Sequence, residues 1–278
     1  MDDPQLSKQT STTTKSIPII DLTQCEDADQ VQLPDKDSKE TLINNFIQRT
    51  DEIIKKTAHI YHQTEDETAR TIELRRLIFT KPKLQEAVDV QNLLEDNDSD
   101  FFELILEDLT SDIELSRHCL QNLQDFYQTQ NSLPETEKMR QTSQMIESTW
   151  QQIYQLSIYD PVLINEVSQL EWIFRAFEVL NHARTDYSYP FIEYCELLKK
   201  AALASQSEEI MTSKFYERIE EELQRYQFLI EKVKFLLNQE RKPSLAQKME
   251  AQQVQELLQE LKEFGFGMEQ EIEHIEGV

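Results

Sequence analysis

The chain contains no glycine between residues 1 and 264; its three glycines are Gly265, Gly267 and Gly277. Tight hairpins and loops that wrap phosphates need residues that tolerate φ > 0, and glycine is the usual one. A P-loop, a dinucleotide-binding fingerprint and a nucleophile elbow are therefore all excluded. A chain of 278 residues without hairpin chemistry is predicted to be all-α, and its length allows one large or two modest domains. Hydrophobic residues make up 38% of it and aromatic residues 9%, lean for a compact globule but too rich for a wholly disordered chain.

Charge narrows the partners. There are 28 Lys and Arg against 53 Asp and Glu, a formal net charge of −25. Direct nucleic-acid binding relies on cations that neutralise phosphates, so none is expected. From Leu84 to Ser116 stand eleven acidic residues and no basic one, which favours a basic partner if electrostatics selects one. Cys25, Cys119 and Cys195 are odd in number and far apart, which fits a reducing compartment rather than a disulfide scaffold or zinc site. No apolar run approaches the roughly 18 residues of a membrane span, and the opening Met-Asp-Asp-Pro-Gln is unlike a signal peptide. A soluble, intracellular protein without membrane contact is expected.

Residues 1–37 form an arm expected to be disordered: seven of the ten residues from Ser7 to Ser16 are Ser or Thr, and no aromatic precedes Phe46. A helical body is predicted over 38–278, with a subdivision near 129–160 or joints at Pro161 and Pro190. Leu42, Ile43, Phe46, Ile47, Ile53, Ile54, Ile60 and Tyr61 make one apolar stripe, predicting a helix over about Lys39–Gln63. Further helices are predicted near Asp66–Thr80, which stops ahead of Pro82, at Leu84–Leu94, and over Phe101–Gln128 behind an Asp100/Glu103 capping box. The next runs from Ser132 to about Leu156, and Asp160-Pro161 opens one to about Ala183. Pro190 starts a helix to about Ala204. Ser205 with Glu208 caps a long one to Gln239, and Ser244 with Gln247 another that ends at Gly265. Short loops imply an antiparallel bundle, and sevenfold spacing such as Phe215, Leu223, Ile230, Val233 and Leu237 gives its long helices a coiled-coil character.

One island interrupts the arm: Ile17-Pro18-Ile19-Ile20-Asp21-Leu22-Thr23, trailed by Glu26, Asp27 and Asp29. An extended apolar segment of this kind can add itself to an exposed sheet edge, where backbone hydrogen bonds give affinity and alternate side chains fill pockets. The trailing acids would face a basic rim. The segment resembles a SUMO-interacting motif, in the Ile-Asp-Leu-Thr form found in PIAS-type ligases and SUMO-targeted ubiquitin ligases. That resemblance implies that Ile17, Ile19, Ile20 and Leu22 occupy the hydrophobic groove of SUMO. Asp21, Glu26, Asp27 and Asp29 would meet its basic surface, and Thr23 and Ser16 would add charge if phosphorylated. The competing reading is a chance apolar tetrad, or a strand that packs back onto the body.

Other constellations are weaker. His59 and His62 with Glu65 and Asp66 fall short of a zinc site, which needs at least three protein ligands. Glu271-x-x-His274 lacks the second such pair that a di-iron bundle requires and reads as a solvated terminus. Cys119 beside His118 lies on an apolar helix and reads as structural; Trp150 and Trp172 read as core anchors. The segment Asp96, Asp98, Asp100, Phe101, Phe102 and Glu103 either clamps a basic partner or is an amphipathic helix whose apolar residues enter the core. Residues Glu166 to Asn238, through Leu170-Glu-Trp172, Tyr194-Cys-Glu-Leu197-Leu198 and Phe235-Leu236-Leu237, are similar in helix length and apolar spacing to the PLU-like helical region of ARID-bearing Jumonji histone demethylases. This implies a chromatin setting and carries over no residues. The expectation is a nuclear, non-enzymatic adaptor without cofactor or metal. It would bind SUMO or SUMO-modified proteins through the arm and other subunits through helical surfaces. The alternatives are an acidic chaperone or clamp for a basic protein such as a histone, and a purely structural coiled-coil subunit.

Overall fold

The computed structural model describes residues 36–95, 102–129, 134–184, 189–240 and 251–276. Among them regular structure is helical: α1 (Lys36–Gln63), α2 (Glu67–Ile78), α3 (Leu84–Glu95), α4 (Glu103–Thr129), α5 (Glu135–Gln155), α6 (Pro161–Leu180), α7 (Phe191–Ser205), α8 (Glu208–Met211), α9 (Lys214–Glu240), α10 (Ala251–Phe264) and α11 (Glu269–Glu276). The all-α bundle read from the sequence is the observed architecture. No described helix is long and apolar enough to cross a membrane.

Helix α6 organises the rest. Its N-cap is the one the sequence advertises: the Asp160 carboxylate accepts from the backbone N–H groups of Val162 (3.0 Å) and Leu163 (3.2 Å), with Pro161 in the first turn. Asn181 closes the other end by donating to the Phe177 carbonyl. A helix apolar on nearly all sides must be enclosed. Leu163, Ile164, Val167 and Leu170 enter one core with Phe46, Leu77, Ile113, Leu123 and Trp150 from α1 to α5. Trp172, Ala176, Val179 and Leu180 enter a second with Phe191, Ile219, Leu261 and Phe264 from α7, α9 and α10. Both tryptophans are buried, as expected of core anchors, and Cys119 is buried with its thiol on the Gln152 amide oxygen.

Two inter-helix corners are stitched together beside the first core. Leu84 N–H donates to the Tyr159 carbonyl (2.8 Å) and Tyr159 N–H to the Pro82 carbonyl (2.7 Å). Ser116 donates to the Asp160 carboxylate at 2.6 Å, and Asp112 accepts from the Ser157 backbone at 2.8 Å and from its hydroxyl. Lys81, only 4% exposed, drives its ammonium into the C-terminal end of α5 and donates to the carbonyls of Ile153 (3.0 Å), Tyr154 (3.3 Å) and Leu156. Those carbonyls are the unpaired acceptors every helix leaves at its end.

Differences from the sequence reading have local causes. The single helix expected from Ser205 is broken into α8 and α9. Gln206 adopts a left-handed conformation (φ 51°) that ends α7, Ser207 rather than Ser205 caps α8 through the Ile210 N–H, and Ser213 accepts from the Tyr216 N–H to open α9. The sevenfold stripe of α9 lies against neighbours in the same chain: Phe215 and Val233 are buried, with α7 and α6 alongside. The terminus holding Glu271 and His274 is a helix, α11; His274 is exposed as expected, but Ile272 and Ile275 anchor the element in the second core.

Gly265 and Gly267 end α10 with φ of +83° and +65°. A Cβ on Gly265 would lie 2.2 Å from the Arg184 carbonyl oxygen, whereas one on Gly267 meets nothing within 4 Å. Gly267→Ala is expected to cost about 1 kcal/mol, the price of a left-handed alanine. Gly265→Ala adds a backbone collision, so a loss above about 2 kcal/mol is expected. Urea unfolding of both variants checks the ordering; equal losses would contradict it.

Lys81 gives a second prediction. Burial pulls its ammonium from the ordinary 10.5 down to about 8, against the opposing pull of Asp112. Between those values the unfolded chain holds a proton that the folded chain has released. Stability should therefore rise with pH across that window, by up to about 3 kcal/mol. The difference between wild-type and Lys81→Met unfolding curves at pH 7.5 and 10 isolates this contribution. Parallel pH dependence in the two would refute it.

Candidate functional site

The residues assigned to SUMO binding (Ile17, Ile19, Ile20, Asp21, Leu22, Thr23, Glu26, Asp27 and Asp29) lie outside the described residues, as do Asp96, Asp98, Asp100 and Phe101. Of the acidic segment, Phe102 and Glu103 are placed. Phe102 is half-buried against the first core with Ile105 and Leu106, while Leu109 and Ile113 are fully enclosed. Glu103, Glu107, Asp108 and Glu114 point outward, and Leu104 stands among them 73% exposed. This arrangement is that of an amphipathic helix, the inward face apolar and the outward face acidic.

The most developed polar constellation lies elsewhere, where the two cores meet. Glu171 sits on α6, in the middle of the run Leu170-Glu171-Trp172-Ile173-Phe174, and is 9% exposed. Its carboxylate accepts from Arg75 on α2 (3.0 Å to each oxygen), from Arg175 one turn along α6 (Nε at 3.0 Å) and from the Trp150 indole N–H on α5 (3.0 Å). The Arg75 guanidinium lies 4.4 Å from the Trp150 ring centre and donates weakly to the Tyr154 hydroxyl (3.4 Å). Trp150 and Tyr154 stack at 5.9 Å. Burial alone would raise the Glu171 carboxyl, but the two guanidiniums pull it the other way, and the net position is below the usual carboxylate range.

This cluster floors a cleft of about 670 Å³ between α2, α5 and α6 and the end of α1. Tyr61, Leu74, Ile146, Trp150, Phe174 and Val179 give it apolar walls, with Tyr189 and Tyr194 at one side. Arg70 stands over the Tyr61 ring at 5.9 Å and is fixed by donating to the Thr64 carbonyl (2.8 and 3.1 Å). Glu67, Glu147 and Glu178 also line the cleft, and burial raises the Glu178 carboxyl. The cleft thus offers aromatic faces and three guanidiniums held in fixed directions, a combination suited to an extended segment with apolar and acidic side chains.

Among the described residues no group of three His, Cys, Asp or Glu is placed to hold a metal ion, and His59 and His62 are exposed on α1. Burial raises the thiols of Cys119 and of Cys195, the latter to about 12, so neither is an activated nucleophile. The chain matches no protein-family model, no curated protein and no solved structure.

Sequence reasoning did not single out Arg70, Arg75, Glu171 or Arg175. Two signals were available. A charge amid the apolar run of α6 has to find a partner, and Arg175 follows at i+4. In addition, residues 36–83 hold ten Lys or Arg against eight Asp or Glu, a net +2 in a chain of net −25.

Replacing Glu171 with Gln would leave two partly buried guanidiniums without their counter-charge. A loss of about 3–5 kcal/mol is expected, with Glu171→Asp recovering part of it. Because the folded carboxyl titrates below its ordinary 4.5, its contribution is present above pH 4.5 and disappears as pH falls through the lower folded value. Denaturant midpoints at pH 7 and pH 3 test both statements. A Glu171→Gln variant as stable as wild type at pH 7 would remove the claim.

Proposed function

We propose that this protein is a non-enzymatic, SUMO-binding adaptor or scaffold subunit of a nuclear, chromatin-associated complex. One observation carries the reading: Ile17-Pro18-Ile19-Ile20-Asp21-Leu22-Thr23 followed by Glu26, Asp27 and Asp29, in an arm otherwise poor in apolar residues. The apolar side chains enter the groove of SUMO, the backbone extends its sheet, and the acids align with its basic rim. A lone motif of this size binds in the micromolar range, about −8 kcal/mol at 1 μM. Attachment to a body already held in an assembly raises the effective concentration and makes so weak a contact useful. The helical body suits that part, since α6 ties two cores into one support. The outward carboxylates of α4 around the exposed Leu104 favour a second reading, a clamp for a basic protein such as a histone.

A peptide of residues 15–32 titrated into isotope-labelled SUMO should shift groove resonances with micromolar affinity. Affinity purification from nuclear extract should recover SUMO-modified proteins with the wild-type chain and lose them with Ile19→Ala/Ile20→Ala. An unchanged SUMO spectrum at millimolar peptide rejects the adaptor reading. Histone binding that collapses with salt yet survives deletion of residues 1–37 points to the clamp.

A further inference from the structure

The cleft above Glu171 has one occupant to which length, charge and side-chain type all point. Helix α1 begins where the arm ends, and Tyr61, at the cleft mouth, is 25 residues of helix beyond Lys36, about 38 Å at 1.5 Å per residue. Thr23 precedes Lys36 by 13 residues and Ile17 by 19. Extended chain covers about 43 Å and about 63 Å over those separations. A chain doubled back along α1 therefore reaches past the cleft mouth, by about 5 Å at Thr23 and about 25 Å at Ile17, so Ile17–Thr23 is within reach of the cleft. Asp27, nine residues before Lys36, falls about 30 Å along. Lys55 and Lys56 stand at about the same height, 19 and 20 residues into the helix.

The side chains match at those heights. Lys55 and Lys56 are exposed on α1, level with Glu26, Asp27 and Asp29. Ile54 (57% exposed) and Tyr61 (45% exposed), seven residues apart, continue an apolar stripe toward the cleft. Leu74, Ile146 and Phe174 then offer apolar surface to isoleucines, and the fixed guanidiniums of Arg70 and Arg175 offer donors to Asp21. Residues 1–35 carry seven acids and two lysines, net −5, while residues 36–83 are net +2.

We infer that the segment Ile17–Asp29 docks on its own body, its acids beside Lys55 and Lys56 and its isoleucines in the cleft. The contact masks the motif until a partner displaces it. The contact itself rests on reach, charge and the cleft; its role as a brake rests on the SUMO reading above. Competition in cis lowers the apparent affinity of the motif by the fraction of time it is held, since only the released arm is competent.

Two measurements on the full-length chain test this. Zero-length carbodiimide coupling at micromolar protein, mapped by peptide mass spectrometry, should join Lys55 or Lys56 to a carboxylate among Asp21–Asp29. The yield should not change on tenfold dilution. In parallel, the full chain should bind SUMO about tenfold more weakly than the 15–32 peptide. The Ile54→Glu/Tyr61→Glu variant should abolish the cross-link and restore the peptide's affinity with an unchanged melting temperature. Ile19→Ala/Ile20→Ala, which leaves the body untouched, should abolish the cross-link as well. No such cross-link, or one that vanishes on dilution, together with equal SUMO affinities, overturns the docking and leaves the adaptor reading standing. Dilution-independent cross-links with a peptide that ignores SUMO keep the docking and reject the adaptor.

Discussion

The bundle turns on one buried carboxylate. Glu171 lies where the first core gives way to the second, and it draws together an arginine from α2, a tryptophan from α5 and an arginine from its own helix. Isolated in an apolar interior a carboxylate would be untenable; with two guanidiniums and an indole N–H it becomes a fixed point. The position of α2 relative to α6 follows from it, and so does the placing of the Arg75 guanidinium 4.4 Å from the Trp150 ring centre. Because the same three helices form the walls of the cleft, the internal ion cluster also sets the cleft's shape.

A second constraint works at the corners that follow α2 and α5. The corner after α2 and the corner after α5 exchange backbone hydrogen bonds, and Lys81 satisfies carbonyls that α5 would otherwise leave unpaired. Asp112 and Asp160 fasten α4 to the same corner. Part of what composition presents as an acidic face is thus internal scaffolding: Asp112 belongs to the eleven-acid stretch yet holds Ser157. Counting charges along the chain overstates the acidic surface, because side chains on one helix divide between cap, corner and solvent.

Helix identity and most starts were legible because the relevant signals are local. Asp160 caps as its place before Pro161 implies, Pro82 forbids continuation of α2, and Gly265 marks the end of α10. The break between α8 and α9 was not legible. Ser205, Ser207 and Ser213 all advertise caps, and only the tertiary setting of Gln206 decides which are used. The docking of α11 was hidden for a similar reason: Ile272 and Ile275 are too few to make a stripe, and they are buried in a core shared with Phe264 at the end of α10 and Phe266 in the turn after it. The Glu171 cluster joins residues up to 96 positions apart, a separation no periodicity reports. The motif in the arm was legible by resemblance alone.

The uneven distribution of charge has a consequence for encounter. With net +2 on residues 36–83 and eleven acids without a base from Leu84 to Ser116, charge is unevenly shared among the helices as well as negative overall. Such a body experiences a torque in the field of any charged surface, turning α1 and α2 toward negative neighbours and α3 and α4 toward positive ones before contact. The torque reaches roughly 10 Å at 0.1 M salt and fades above that, so partner orientation becomes a property of the medium as much as of the fold.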